Sequence, residues 1–177
     1  GYTLLVSSSG PLAVNPGLYS KLPYDPIKDF APVAGIAIVP LVLVTNPAFP
    51  ATNVKELVAT AKAKPKAVNY ASGGSGVTNH LVMEMFRGAA GIDMTHIPYK
   101  GGPPALTDLM GGHVMMIFDN MPNVLPHVKA GKMKAVAITS LKRSELAPQV
   151  PTVDESGVKG FEVSVWFGTV AAANTPS

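Results

Sequence analysis

The chain has 177 residues, a net charge of +3, no cysteine, and 17 glycines and 17 prolines. Hydrophobic residues make up 47 % and charged ones 14 %, which excludes a disordered chain, because disorder goes with low hydrophobicity and high net charge. The cysteine count excludes disulfides, thiolate metal sites and cysteine nucleophiles, and the scattered basic residues, with no stripe of interleaved aromatics, exclude nucleic acid as a partner.

The longest nearly apolar run, residues 34–44, is interrupted by Pro40. It is too short for a bilayer-spanning helix, which takes about 20 residues. Residues 2–7 read as a buried strand running into the turn Ser8-Ser9-Gly10-Pro11. Residues 15–29, with Pro16, Pro23 and Pro26, read as turns. Residues 33–45 are apolar and β-branched and predict one or two strands broken at Pro40. Asn46-Pro47 and Pro50 read as a linker. Asn53 followed by Glu56 matches a helix capping box. Val54, Leu57, Val58 and Ala61 then share one helical face, and Lys64-Pro65 ends that helix.

Residues 68–71 read as a short strand and 72–76 as a glycine-serine turn. The helix after it spans 78–90, with Leu81, Val82, Met85, Phe86 and Ala89 on its apolar face and Gly91 as its C-terminal cap. A strand over 94–98 follows. A helix opens at Pro103 or Pro104, runs to Met110 and closes at Gly111. Residues 114–118 read as a strand, with Asp119-Asn120 in the loop after it. Pro122 opens a helix to Ala130, closed by Gly131, and 133–139 is a strand. A short helix over 152–156 and a strand region over 161–171 complete the chain.

From 46 to 139 the order is therefore α-β-α-β-α-β-α-β, which implies an α/β lobe with a mainly parallel sheet. Residues 1–45 and 140–177 break this rhythm and are expected to be parts of an incomplete first lobe. The chain opens on a strand pattern without a signal-peptide pattern and ends just after another strand pattern. It is expected to be truncated at both ends.

The segment from Tyr70 to His80 joins a strand end to a helix start. Free N–H groups and the helix dipole favour an anion there, and glycines admit a close ligand. Ser72, Gly73, Gly74, Ser75, Gly76, Thr78 and Asn79 are the candidate ligand-binding residues; the competing reading is a plain glycine-rich turn with a serine cap. Sharper motifs fail. A P-loop needs Gly-Lys-Ser/Thr where Gly76-Val77-Thr78 stands, and a dinucleotide fingerprint needs glycine in place of Asn79. A nucleophile elbow on Ser75 needs glycine in place of Val77.

Ser8 and Ser9 lie at another strand end and read as cleft hydroxyls or as ordinary turn residues. Asp119, at the carboxyl end of a strand where α/β ligands collect, either receives an amine or hydroxyl or caps the next helix. Lys100 is a cation near the same loops. His80, His96, His113 and His127 share no metal spacing, and no nucleophile–base pair or cofactor motif follows from the spacing. No metal, cofactor or catalytic residue is therefore expected.

Several stretches together carry a family resemblance: Gly1-Tyr2-Thr3-Leu4-Leu5, Asn15-Pro16, Leu22-Pro23-Tyr24-Asp25-Pro26, Asp29-Phe30-Ala31-Pro32-Val33, Val54-Lys55-Glu56-Leu57, Tyr70-Ala71-Ser72, Pro98-Tyr99-Lys100-Gly101, Phe118-Asp119-Asn120, Val150-Pro151-Thr152-Val153 and Trp166-Phe167-Gly168. In that order they resemble the Bug-type extracytoplasmic solute receptors associated with tripartite tricarboxylate transporters. The resemblance implies a type II periplasmic binding fold, two α/β lobes closing around a small carboxylate or amino-acid ligand without chemistry. It implies a periplasmic location and membrane transporter or sensor components as partners. By the same resemblance Ser72 to Gly76, Thr78 and Asn79 form the second lobe's half of the site, Ser8 and Ser9 lie on the first lobe, and Asp119 faces the cleft. The alternatives are a ligand-sensing effector domain of a cytoplasmic transcription regulator, which shares the two-lobed fold, and a hydrolase using Ser75.

Overall fold

In the computed structural model, which describes residues 3–176, the elements in chain order are β1 (Leu4–Ser8), a π-helical turn (Gly10–Val14), α1 (Asn15–Leu18), β2 (Phe30–Thr45), α2 (Val54–Ala63), β3 (Asn69–Ser72), α3 (Thr78–Ala90), β4 (Thr95–Pro98), α4 (Gly102–Gly111), β5 (Met116–Asn120), α5 (Met121–Lys129), β6 (Lys134–Ile138) and β7 (Ser164–Ala172). Gly1 and Tyr2 of the expected first strand, and Ser177, lie outside the described residues. The chain divides into two units, one of Gly1–Val39 and Val165–Ser177, the other of Pro40–Ser164.

The second unit carries the alternating βα pattern. Asn53 Oδ1 accepts from Glu56 N at 2.9 Å and caps α2. The Glu56 carboxylate accepts in turn from Thr52 N and Oγ1, so two free donors are satisfied at one helix start. α3 occupies the expected span and ends at Gly91 in the left-handed region (φ 62°), which glycine enters without a Cβ penalty. α4 ends one residue later than expected, at Gly112 (φ 80°).

β3 pairs in parallel with β4 and with β5. β5 and β6 both run antiparallel to the C-terminal part of β2 and are therefore parallel to each other. The sheet of this unit is thus mainly parallel, with one antiparallel strand between β5 and β6. That strand was expected in the first lobe. Leu41, Val42, Leu43 and Val44 are instead buried at its centre, as a near-continuous apolar strand covered on both faces must be. Pro40 does not break β2. It stands just before the ladder with β5 begins at Leu41, where its missing N–H takes nothing from that ladder.

Residues 140–163 also belong to this unit rather than to the first lobe. Val150, Val153, Val158 and Phe161 are buried. Phe161 packs edge-on to Phe86 and stacks near Phe118, with centroids 6.0 and 6.3 Å apart. The expected helix over 152–156 is a capped turn. Thr152 is held beside Ile138 by a parallel bridge, and Thr152 Oγ1 accepts from Glu155 N at 2.9 Å. Gly157, at φ 108°, stops any continuation.

In the first unit, β1, β7 and the residues of β2 up to Val39 lie side by side, β1 antiparallel to β7. Gly168 lets β7 approach β2 closely, since a Cβ there would stand 3.0 Å from the Ala34 carbonyl oxygen. The expectation of a buried first strand fails. Leu4 and Val6 are 60 % and 61 % exposed, and Val33, Ile36 and Ile38 are exposed as well. Alternation of apolar residues predicts a strand, but burial needs a covering layer. Ser8 ends β1, and Ser9 starts a π-helical turn where an open turn was expected.

Candidate functional site

The carboxyl ends of β3, β4 and β5 lie on one edge of the second unit's sheet, the edge at which α/β folds collect ligands. Their loops interlock. Tyr99 N donates to Ser72 O and Gly101 N to Gly73 O, both at 2.9 Å. A Cβ on Gly73 would stand 3.2 Å from the backbone of Gly101 and Gly102, and one on Gly102 would stand 3.4 Å from Asp119 Oδ2. Glycine at 73 thus permits the close approach of two loops, and Asp119 lies beside the start of α4.

Within the loop after β3, several polar groups bind one another. Ser72 is fully buried; its Oγ donates to Gly74 O at 2.9 Å, accepts from Gly74 N at 3.2 Å and lies 2.6 Å from His96 Nε2. The hydroxyl proton is already given to Gly74 O, so the imidazole donates to Ser72 through Nε2–H. Gly73 N donates to Asn79 Oδ1 at 3.2 Å, and Gly76 N to His80 Nδ1 at 3.0 Å. Gly74 and Gly76 have φ of 142° and 81°, conformations that suit glycine.

The groups left facing outward are fewer than the sequence suggested. Ser75 is exposed and makes no hydrogen bond among the described residues. Val77 is the N-cap of α3 without a side-chain capping bond. Its carbonyl accepts from His80 and Leu81, so the N–H groups of Thr78 and Asn79 in the first turn have no helical acceptor. The N–H groups of Ser75, Val77, Thr78 and Asn79 thus have no acceptor among the described residues, at the positive end of a 13-residue helix dipole.

Asp119 is 5 % exposed and is the last residue but one of β5, not a loop residue. Its Oδ1 accepts from Asn120 N at 2.6 Å and Asn123 Nδ2 at 2.9 Å, while Oδ2 has no hydrogen bond among the described residues. Burial pushes its pKa above the ordinary carboxylate range, against the pull of those two donors. Asn120 Oδ1 is enclosed and without a partner among the described residues. Lys100 is exposed. Tyr99 turns its hydroxyl to Asp108 Oδ2 at 2.7 Å, and burial with that carboxylate raises its pKa to about 12. Ser8 and Ser9 lie in the first unit.

Sequence spacing did not bring out the layer beneath the loop. His80 and His96 stack with ring centroids 4.0 Å apart, and Tyr70 stacks on His96 at 5.0 Å. The Tyr70 hydroxyl donates to Glu84, whose carboxylate receives Arg87 at 2.6 and 2.9 Å; Arg87 also reaches Asp93 at 2.9 Å. Burial raises the Glu84 pKa, but the donors Tyr70 and Arg87 outweigh it and hold the carboxyl below its ordinary value. Burial and the neighbouring Glu84 raise the Tyr70 phenol. The i, i+4 spacing of His80 and Glu84 was legible; the parallel register that sets His96 opposite Tyr70 was not.

The Ser72–His96 contact has the look of a nucleophile with its base. The serine is fully buried and its proton is engaged by Gly74 O, so no reacting atom can approach it. Ser75, the exposed serine, has no histidine or carboxylate partner among the described residues.

The candidate site is thus a glycine-bounded loop at a helix start, beside a buried carboxylate on the carboxyl edge of the mainly parallel sheet of an α/β unit. The sequence model of the tripartite tricarboxylate transporter family receptor matches residues 1–177, and the chain belongs to that family. It is 44 % identical over 176 residues to BugT of Bordetella pertussis, covering 99 % of this chain and 54 % of that protein. The structure of R. palustris Rpa4515 with adipate superposes with a TM-score of 0.95 at 37 % identity, covering all of this chain and 59 % of that one. The periplasmic binding protein BugD gives 0.92 at 38 % identity, over 99 % and 58 %. The fold is that of the type II periplasmic binding proteins of this family, and the chain spans about half the length of the curated relatives it matches. Family members are solute-binding receptors. No described helix is long and apolar enough to cross a membrane.

Proposed function

We propose that the chain is part of a periplasmic solute receptor that captures a small carboxylate-bearing ligand for a tripartite tricarboxylate-type transporter or sensor. The observation that carries the reading is the set of N–H groups at Ser75, Val77, Thr78 and Asn79 that have no acceptor among the described residues, at the positive end of α3. Such a site grips a carboxylate through dipoles and neutral donors, and waters can complete its contacts at little loss. The adipate held by a relative 37 % identical supports the ligand class. Ser72, Gly73, Gly74 and Gly76 shape the loop, and Asn79 both braces Gly73 and offers its own N–H. The free Oδ2 of Asp119 would receive a hydroxyl, an ammonium or a bridging water. Ser8 and Ser9 are proposed as the first unit's contribution.

Calorimetric titration with adipate, malate, citrate and L-glutamate tests this. At least one is expected to bind with a dissociation constant in the micromolar range or below; no heat across the panel would refute the reading. Ser75→Asp puts a carboxylate at the loop in an exposed position without the positive φ of Gly74. It should weaken binding at least tenfold, with the melting temperature changed by less than about 2 °C, as for a surface substitution.

A further inference from the structure

The Ser72–Gly76 loop rests on a layer of two histidines. Gly76 N donates to His80 Nδ1 at 3.0 Å, and Ser72, which closes the other end of the loop on Gly74, rests on His96 at 2.6 Å. The two imidazoles stack at 4.0 Å with an interplanar angle of 20°. Gly76 sits at φ 81°, so its N–H is aimed at His80 by a backbone shape that needs holding. An N–H can only donate, and Nδ1 of His80 is therefore the unprotonated nitrogen, with its proton on Nε2.

We propose, building on the receptor reading above, that His80 and His96 are positioning residues for anion capture: as a neutral stacked pair they hold the Ser72–Gly76 loop in its donor-presenting shape, and a proton added at His80 Nδ1 releases Gly76 and weakens binding. The protonated ring would face Gly76 with a donor against a donor, and an imidazolium 4.0 Å from a second ring leaves no room for both to be charged. The charged and titratable groups around His80 act in both directions. Glu84, one turn along α3, lies 3.8 Å from His80 Nε2 and favours the cation. His96 on β4 disfavours it, as does Arg87, which Glu84 holds over Tyr70 of β3. Burial, and then His80, push the His96 pKa below the ordinary histidine value.

The test compares the protein with His80→Asn, whose side-chain oxygen can accept from Gly76 N–H without titrating. Binding of adipate is measured by calorimetry at pH 8.0 and 6.0. The natural protein is expected to lose at least fivefold in affinity on acidification and His80→Asn less than twofold; titration of the adipate itself is common to both. Equal pH dependence in the two proteins, or tighter binding by the natural protein at pH 6.0, overturns the inference. A ligand-free measurement stands beside it: the Gly76 amide resonance of the natural protein should titrate with the His80 ring resonances. A Gly76 amide that does not move with that titration overturns the inference even if His80→Asn fails to fold. Absence of adipate binding at pH 8.0 in the natural protein, with the rest of the panel also silent, removes the receptor reading and the role in capture with it. That result differs from binding that is merely indifferent to His80.

Discussion

At the scale of single residues, the site shows that a polar side chain near a loop is not thereby free for a ligand. Ser72 was a candidate because it stands at a strand end, yet it is fully buried and its hydroxyl serves Gly74 and His96. Asp119 is the reverse case, a buried carboxylate with one oxygen held by Asn120 and Asn123 and the other unbonded among the described residues. Burial raises its pKa, so the folded state keeps its proton to higher pH than the unfolded chain, whose value is about 3.9. Its contribution to stability is then fully present below the unfolded value and is lost as pH rises through the folded one. Asp119→Asn removes the buried charge while keeping an oxygen for Asn120 and Asn123. Urea unfolding should show the variant gaining on the natural protein from pH 3 to pH 7, and an equal difference at both values would contradict the assignment. His96 has the opposite sign: its lowered pKa means that stability is lost on acidification, as the unfolded chain takes up a proton that the folded one resists.

At the scale of elements, local chemistry was largely sufficient. The capping box at Asn53 and Glu56 and the left-handed glycine at 91 sit where the sequence put them, because caps are short-range hydrogen-bond problems. Asn53→Ala should cost about 1 kcal/mol of unfolding free energy, read from denaturant midpoints at unchanged slope. A loss below about 0.3 kcal/mol would mean that Thr52 and Glu56 hold the end of α2 alone. Strand burial was less legible. β1 and the C-terminal part of β2 are both apolar runs, yet Leu4 and Val6 are exposed while Leu43 and Val44 are fully buried. The apolar run predicts a strand in both; only the neighbouring layers decide whether its faces are covered.

At the scale of the whole molecule, the sequence suggested that the first lobe takes everything outside 46–139, and the unit boundaries fall elsewhere. Pro40–Ser164 is one unit because distant residues pin its margins. Thr139 Oγ1, fully buried, accepts from Leu41 N at 2.9 Å and donates to Val163 O at 2.6 Å. Phe161 closes an aromatic cluster with Phe86 and Phe118. Phe161→Ala should destabilise this unit by about 3–4 kcal/mol, the cost of deleting a buried aromatic ring. A change under 1 kcal/mol would show that residues 140–163 are an appendage rather than part of its core.

By itself, the sequence determined the α/β alternation, most helix ends, the family and the position of the glycine-serine loop between β3 and α3. All of these rest on local periodicity, capping chemistry and ordered short motifs. Tertiary structure decided that β2 threads antiparallel between β5 and β6, that residues 140–163 join the second unit, and that His96 lies under His80. It also decided which loop donors turn inward. Those outcomes depend on strand register and on contacts between residues far apart in the chain, which no local pattern encodes.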